Sequence, residues 1–289
     1  MNNNIPVVIF HQGYKPYLKI NCQITAENNN VILLGDPSLE KLSKISNVEF
    51  VNTDDIIKKE KIDYFKNHFI NYNTVNEKSV WLWYLRVFIL GQFLEQYKID
   101  KIFHIDSDNI LLKDINQYTF KEDNAYCISK NWHEFTMSAS IHSGLLNTNF
   151  FKQFENLYYN LFISKEMFYL IEKKIKFHNE NGGGGVCDMT LFYLLDKLDL
   201  LKVQNLLLPN VINHKEYVFI NNINTSEGYE TEKQFKMKSK SIHVIKDNKN
   251  FENKIFDVNH DKDLYIYNIH FQGPGKKKMN PFLKYKLNF

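Results

Sequence analysis

Two periods of apolar and polar positions succeed one another along this chain, and the switches between them mark its elements. "IPVVIF" is a short β-rich apolar run, and "HQGYKP" after it carries Gly and Pro turn signals. "YLKINCQITAEN" spaces its apolar residues as a helix does, and "NNVILLGD" predicts a second strand ending in Gly35 and Asp36. Strand, helix and strand at this spacing predict a parallel βαβ unit. Open parallel sheets gather ligands beyond the carboxyl ends of their strands. That makes His11, Gln12, Gly13 and Tyr14, with Gly35 and Asp36, candidate pocket positions.

A lysine-rich segment, "IIKKEKIDYFKNHF", leads into "EKSVWLWYLRVFILGQFLEQYKID", whose Trp, Leu, Phe and Ile recur at three and four as a core-facing helix requires. "KIFHI" is the third predicted strand. "NAYCIS" and "SASIHSGLLNT" predict further strands, the second followed by the amphipathic helix "NFFKQFENLYYNLFI". A helical stretch around "KEMFYLIEKKIKF" runs into four consecutive glycines, 182–185, which lose too much backbone entropy to sit inside a helix or strand and so predict a flexible loop. That loop ends at Cys187 and Asp188, a new helix starts immediately after, and Asp188 can be read as its N-cap. From residue 210 the chain is richer in Asn and Lys, with short strand candidates at "EYVFI", "SIHVI" and "LYIYNIHF". There is no internal repeat and no linker. The pattern therefore predicts an α/β protein: a mostly parallel sheet flanked by helices over residues 1–209, and a smaller, irregular part, 210–289, completing the same domain.

Composition narrows the classes. With 289 residues, 44% of them hydrophobic, the chain can bury a large core. No run approaches the roughly 18–20 uncharged apolar residues of a membrane span, and "MNNNIPVVIF" lacks a basic segment followed by an apolar signal core; the expectation is a cytoplasmic protein. Cys22, Cys127 and Cys187 are too few and too scattered for a disulfide framework. A net charge of +3 does not call for a nucleic-acid partner. The last residues, "GKKKMNPFLKYKLNF", interleave Lys with aromatics, which suits anionic phosphates or peripheral contact with a membrane face; a solvated tail is the alternative. Among 36 basic residues Arg86 is the only arginine, and it sits in apolar "WLWYLRVFIL". A guanidinium fork there can grip phosphate or carboxylate, or can form a buried ion pair.

"FHIDSDNILL" poses the chemical question. Asp106 and Asp108 end an apolar strand, and strand alternation sends both to one face with Ser107 opposite. Like charges so placed repel unless a cation lies between them; the alternative is a polar turn. "IYNIHFQGPGK" puts His270 at another strand end, followed by Gly273, Gly275 and Lys276. Two carboxylates and an imidazole leave room for phosphate oxygens around an octahedral manganese- or magnesium-type ion, while the glycines and Lys276 suit an anion.

Taken together, "RVFILGQFLEQYKIDKIFHIDSDNILLKDI", "HSGLLNTNFF", "GGGGVCDMTLFYLL" and "HFQGPGK" resemble the GT-A class of nucleotide-sugar glycosyltransferases. Within it the chain is most similar to bacterial capsule or lipopolysaccharide enzymes and to the galactosyltransferase and glycogenin family. The likeness spans most of residues 5–280. It implies an Asp-x-Asp metal motif in which Asp108 binds the ion and Asp106 contacts the ion or the donor ribose, with His270 as third protein ligand. It also implies Lys276 on the diphosphate with Gly273 nearby, Arg86 reaching the donor phosphates or sugar, and Asp188 near the donor sugar and acceptor. His11 to Tyr14, Asp36 and Ser107 are further candidate donor contacts from their place at the strand ends, and "FHQGY" differs from that family's nucleotide-binding start. Where the related galactosyltransferases carry Asn-Ala-Gly, this chain has His142, Ser143 and Gly144.

The reaction so implied moves a sugar from a nucleotide-diphosphate sugar, a UDP-sugar, to a cell-surface glycan or lipid-linked acceptor. Breaking the bond from sugar C1 to diphosphate leaves charge on the departing oxygen, which a divalent cation with Lys276 and Arg86 can stabilise. Inversion needs a general base, for which Asp188 is the candidate; the resemblance leans towards retention. Two other readings stand: a sugar-phosphate nucleotidyltransferase, whose Gly-rich phosphate loop "FHQGYKPYLK" matches poorly, and a noncatalytic nucleotide-sugar-binding module.

Overall fold

The computed structural model describes residues 4–230, 233–247 and 252–281. The apolar runs fold as strands, buried on both faces where they are central. In β1 (Val7–His11), Val8 and Phe10 enter the core on one side of the sheet while Val7 and Ile9 enter the core on the other. This double burial is why such strands read as unbroken apolar runs. Pro16 opens α1 (Pro16–Thr25), which returns the chain to β2 (Val31–Gly35) and then β3 (Val48–Asn52). The reading of the sequence passed over β3, an edge strand in which exposed Glu49 interrupts the apolar pattern.

The lysine-rich segment forms α2 (Lys59–Asn67). The long apolar stretch is α3 (Glu77–Tyr97), capped at its start by the Asn76 side chain accepting from Ser79 N (3.0 Å) and closed by Lys98 in a left-handed conformation. There follow β4 (Lys101–Ile105), β5 (Asn109–Leu111), β6 (Asn124–Ile128), β7 (Ala139–Asn147), α4 (Thr148–Tyr158), α5 (Tyr169–Asn181), α6 (Asp188–Lys197) and β8 (Val203–Asn205). Among the described residues, seven strands make the main sheet in the order β3-β2-β1-β4-β7-β6-β8. Strands β3, β2, β1 and β4 are mutually parallel, β7 runs antiparallel to both neighbours, and β8 is parallel to β6. The α/β class with a mostly parallel sheet is as expected. Helices α3, α4 and α6 cover one face through a core that includes Phe88, Phe154 and Phe192.

Beyond β8 lie β9 (Asn210–Ile212), β10 (Lys215–Val218), β11 (Met237–Lys238), β12 (Ser241–Ile242), β13 (Ile245–Asp247), β14 (Glu252–Asp257), β15 (Lys262–Ile266) and β16 (Asn268–His270). A second sheet has the order β13-β14-β15-β10-β9. "LYIYNIHF", expected as one strand, is two: β15 stays in the second sheet while β16 leaves it to pair with β5. The glycine run takes positive φ at all four positions, and a Cβ on Gly185 would lie 2.2 Å from the Tyr72 carbonyl oxygen, so this loop needs glycine. No described helix is long and apolar enough to cross a membrane. The end of the lysine and aromatic tail, 282–289, lies outside the described residues.

Candidate active site

Two backbone events build the site. Parallel β1 and β4 are neighbours, so His11 and Asp106 leave the sheet at the same carboxyl-end edge. The chain then turns, Asn109 N donating to the Asp106 carbonyl (2.9 Å), and enters β5. Antiparallel pairing sets His270 opposite Asn109, and Phe271 N donates to the Asp108 carbonyl (2.8 Å). A buried amide network locks this seam: the Asn268 side-chain amide donates to Asn109 Oδ1 (2.7 Å), 159 residues away in sequence, and Asn109 donates to Ser143 Oγ (2.7 Å).

The turn reading and the paired-carboxylate reading of "DSDN" therefore describe one object. Strand alternation lapses in the turn, so Ser107, expected on the far side, lines the same cavity as Asp106 and Asp108. One ligand atom each of Asp106, Asp108 and His270 lie within 4.8 Å of one another. His270 Nδ1–H donates to the Asn221 carbonyl (2.5 Å), which in the neutral ring leaves the Nε2 lone pair facing Asp108 Oδ1 at 3.5 Å. Carboxylate oxygens and an oriented imidazole at this spacing fit a hard divalent cation.

Around these ligands the charges fall into two groups. Arg86, half-way along α3, holds Asp106 with one guanidinium nitrogen and Asp188 with the other (2.8 Å), so it forms a buried ion pair and lines the cavity at once. His104, two residues before Asp106 in β4, has Nε2 3.4 Å from the same carboxylate, and its Nδ1–H donates to the Val8 carbonyl (3.0 Å). On the other side Lys276 Nζ lies 3.0 Å from Asp108 Oδ2 and 5.3 Å from the centre of the Tyr17 ring.

The carboxylates differ accordingly. Burial alone would raise Asp106, but Arg86 and then His104 outweigh it and hold the group far below the usual carboxylate range. Asp108 is likewise held low against burial by His270, with help from Lys276. Asp188 goes the other way: it is almost wholly buried, and this desolvation raises it more than Arg86 lowers it. Cys187, not Asp188, takes the N-cap position of α6, and burial pushes its thiol up to about 12, which removes it as a nucleophile at neutral pH.

The cavity these groups line measures about 640 Å³. Its walls include His11, Gln12, Arg86, Asp106, Ser107, Asp108, Asp188, His270, Gly273 and Lys276. Gly13, Tyr14 and Asp36 lie outside the lining. The Asp36 carboxylate accepts from Gly13 N and from Ser38 N (3.0 Å), and Lys41 lies over the Tyr14 ring at 3.5 Å, so these three brace the loop between β1 and α1. The aromatic that this loop and helix give to the cavity is Tyr17.

His142, noted in the sequence only as a departure from the related galactosyltransferases, belongs to the site, as do His104, Trp132 and Glu227. His142 of β7 stacks on His270, ring centres 4.4 Å apart, and burial lowers its pKa to about 3, so it is a neutral plate behind that imidazole. His104 had a signal, since i and i+2 in a strand share a face with Asp106. Trp132 and Glu227 also line the cavity, from irregular segments with no periodicity.

No family model and no curated protein matches the chain. Among solved structures it is similar to mouse xyloside xylosyltransferase 1 in its apo form, with 11% identity over 70% of this chain and 84% of that one, TM-score 0.46. It is similar also to a glycosyltransferase involved in glycosylation of the major capsid of PBCV-1 (9% identity, 97% and 99% coverage, TM-score 0.38) and to a cytidylyltransferase from Leptospira borgpetersenii serovar Hardjo-bovis (10%, 62% and 71%, TM-score 0.32).

Proposed function

We propose that this protein is a divalent-cation-dependent glycosyltransferase, moving a sugar from a UDP-type nucleotide-diphosphate donor to a saccharide acceptor of a cell-surface glycan or lipid-linked precursor, with retention at the anomeric carbon. One observation carries the reading. The pairing of β5 with β16 brings Asp106, Asp108 and His270 together at the carboxyl-end edge of β1 and β4, with Lys276 on the same carboxylate, inside one cavity. The motif resemblance over residues 5–280 supports the donor class and the stereochemistry.

Asp106, Asp108 and His270 would hold the cation, which when bound supplies positive charge to the departing diphosphate. Lys276 is more exposed than Arg86, its side chain at 37% against 14%, and can exchange Asp108 for a diphosphate oxygen. Arg86 acts on the protein side: by gripping Asp106 and Asp188 together it fixes both carboxylates against the cavity floor. The Asn221 carbonyl fixes the His270 tautomer, and His142 fixes its ring plane.

Calorimetry of UDP binding with and without MnCl2, beside hydrolysis of a panel of UDP-, GDP- and CDP-sugars, tests the reading. The parent should bind UDP in a manganese-dependent way and release nucleotide from at least one donor. Asp108→Ala should lose the manganese dependence. Equal binding by parent and variant removes the metal assignment, and release of pyrophosphate from a nucleoside triphosphate and a sugar phosphate replaces glycosyl transfer with nucleotidyl transfer.

A further inference from the structure

A second cavity, about 610 Å³, adjoins the first, and Trp132 and Glu227 line both. Its character differs. The first cavity converges on charged groups gathered for an anion and a cation; the second sets two aromatics, Trp132 and Tyr229, among the amides of Asn131 and Asn259 and charges of both signs, Glu227 and Glu230 with Lys130 and Lys233. A pyranose has this dual character, with a C–H face that lies on an aromatic ring and a rim of hydroxyls that need donors and acceptors.

Trp132 is half exposed, at 50%, on the loop between β6 and β7. That loop is held in place, which makes the indole a prepared platform rather than a frayed tip. Ser129 N donates to the Ser138 carbonyl (3.1 Å) across its base. Thr136 Oγ1 accepts from Trp132 N (3.2 Å) and His133 N (3.3 Å). From beneath, buried Lys174 of α5 donates to the carbonyls of Thr136 (2.9 Å) and Met137 (3.4 Å), and Phe135 packs on Phe177 at 5.0 Å between ring centres. The facing wall is braced as well. Gly228 is buried against Gln234, where a Cβ would lie 1.9 Å from the amide oxygen, and Gln234 donates to the buried carboxylate of Asp257 (3.0 Å). Lys130 spans the gap by donating to the Glu230 carbonyl (3.0 Å). An aromatic on a loop held by these hydrogen bonds loses little entropy when a ligand settles on it.

We infer that this second cavity is the acceptor subsite and takes a saccharide whose ring stacks on Trp132, with Glu227 at the passage to the donor cavity. The inference rests on the proposed glycosyl transfer, and the order of the two cavities gives it direction: an acceptor bound beside Trp132 presents a hydroxyl through the shared wall towards the metal-ligand cluster. Glu227 accepts hydrogen bonds from acceptor hydroxyls there.

The test uses the full chain and a panel of methyl glycosides and disaccharides of glucose, galactose, mannose, rhamnose and N-acetylglucosamine. Saturation-transfer NMR without donor reads binding directly; the ratio of transfer to donor hydrolysis reads it in turnover. At least one panel member should bind the parent, Trp132→Ala should weaken that binding at least tenfold, and Trp132→Phe should restore most of it. Where a donor is turned over, Trp132→Ala and Tyr229→Ala should shift the ratio at least fivefold towards hydrolysis. Thermal melting of each variant separates a lost contact from a lost fold. Binding to Trp132→Ala equal to the parent, or no panel member bound by the parent, overturns the subsite. Saccharide binding that depends on Trp132 in a protein that hydrolyses no donor instead retires the transferase reading and leaves a saccharide-binding surface.

Discussion

The two charge clusters of the first cavity are held by opposite means. Around Arg86, charges are largely buried and paired: the guanidinium side chain is 14% exposed and Asp188 3%, and each terminal nitrogen has a carboxylate, while the buried Nε has no hydrogen-bond partner among the described residues. Around Asp108 the cation is a lysine, 37% exposed, and the imidazole arrives from a strand at the far end of the chain. The first cluster belongs to the packing of α3 on the main sheet. The second depends on whether β16 stays zipped to β5. The fixed charge sits on a helix in the core, and the more exposed one on a Gly-rich turn.

Replacement of Arg86 by Met should separate the clusters most. It leaves the Asp106 and Asp188 carboxylates without their buried partner, and breaking such pairs destabilises by about 3–5 kcal/mol. Urea unfolding should show that loss; an unchanged midpoint would mean the pair is not structural. Asn268→Ala should cost less, about 2–3 kcal/mol, because it leaves Asn109 and the backbone of Ile220 short of partners in a buried seam. Unlike the Arg86 variant, it should loosen β16 selectively, with amide exchange at residues 268–271 accelerating more than at β1 and β4. Uniform acceleration would make the two clusters one cooperative unit.

The same division explains what was legible in the sequence. Strand β1 and helices α3 and α4 announce themselves because a two-sided apolar run or a three-to-four repeat is a local property. The break between β15 and β16 is not local. "LYIYNIHF" keeps its apolar alternation through Tyr267, and only the partner of Asn268, in β5, explains why the strand changes sheets. The acidic pair, His270 and Lys276 stood out through motif spacing, yet Ser107 was sent to the wrong side by extending strand alternation into a turn. Trp132, Glu227 and Tyr229 gave no signal, since loop residues carry neither periodicity nor a fixed facing until the elements around them are placed.

A smaller effect sharpens the contrast from the exposed side. Lys276→Met removes an ion pair whose lysine is 37% exposed and leaves His270 beside Asp108, so stability should move by less than about 1 kcal/mol. Loss of one charge-assisted bond to the diphosphate should lower kcat/KM for donor hydrolysis by about 10–100-fold. Equal donor kinetics in parent and variant would remove Lys276 from the donor site.

Acid offers the finest discrimination, because the second cluster leans on the smaller sheet and that sheet leans on ionised carboxylates. Burial would raise Asp257, but Gln234, His260 and two backbone N–H groups outweigh it and hold it below its ordinary value. Burial would also raise Glu252, which Lys113, Lys215 and Tyr217 hold low instead. For a depressed carboxyl the sign is fixed: the folded state binds fewer protons than the unfolded one, so stability is full above the unfolded pKa of about 4 and is lost as pH falls through the folded value. Asp106 is depressed further still and loses stability over the same range, whereas Asp188 is raised, so its gain on protonation is complete by the unfolded value near 4. Because β14 carries both Glu252 and Asp257 while β1 and β4 lie inside the seven-stranded sheet, amide protection in β14 and β15 should fall before protection in β1 and β4 between about pH 4 and pH 2.5. Asp257→Asn, which keeps the hydrogen-bonding shape without the titration, should lower stability at pH 7 and flatten this early loss. Simultaneous loss of protection in both sheets would show that the acid-sensitive carboxylates of the smaller sheet do not set its local stability.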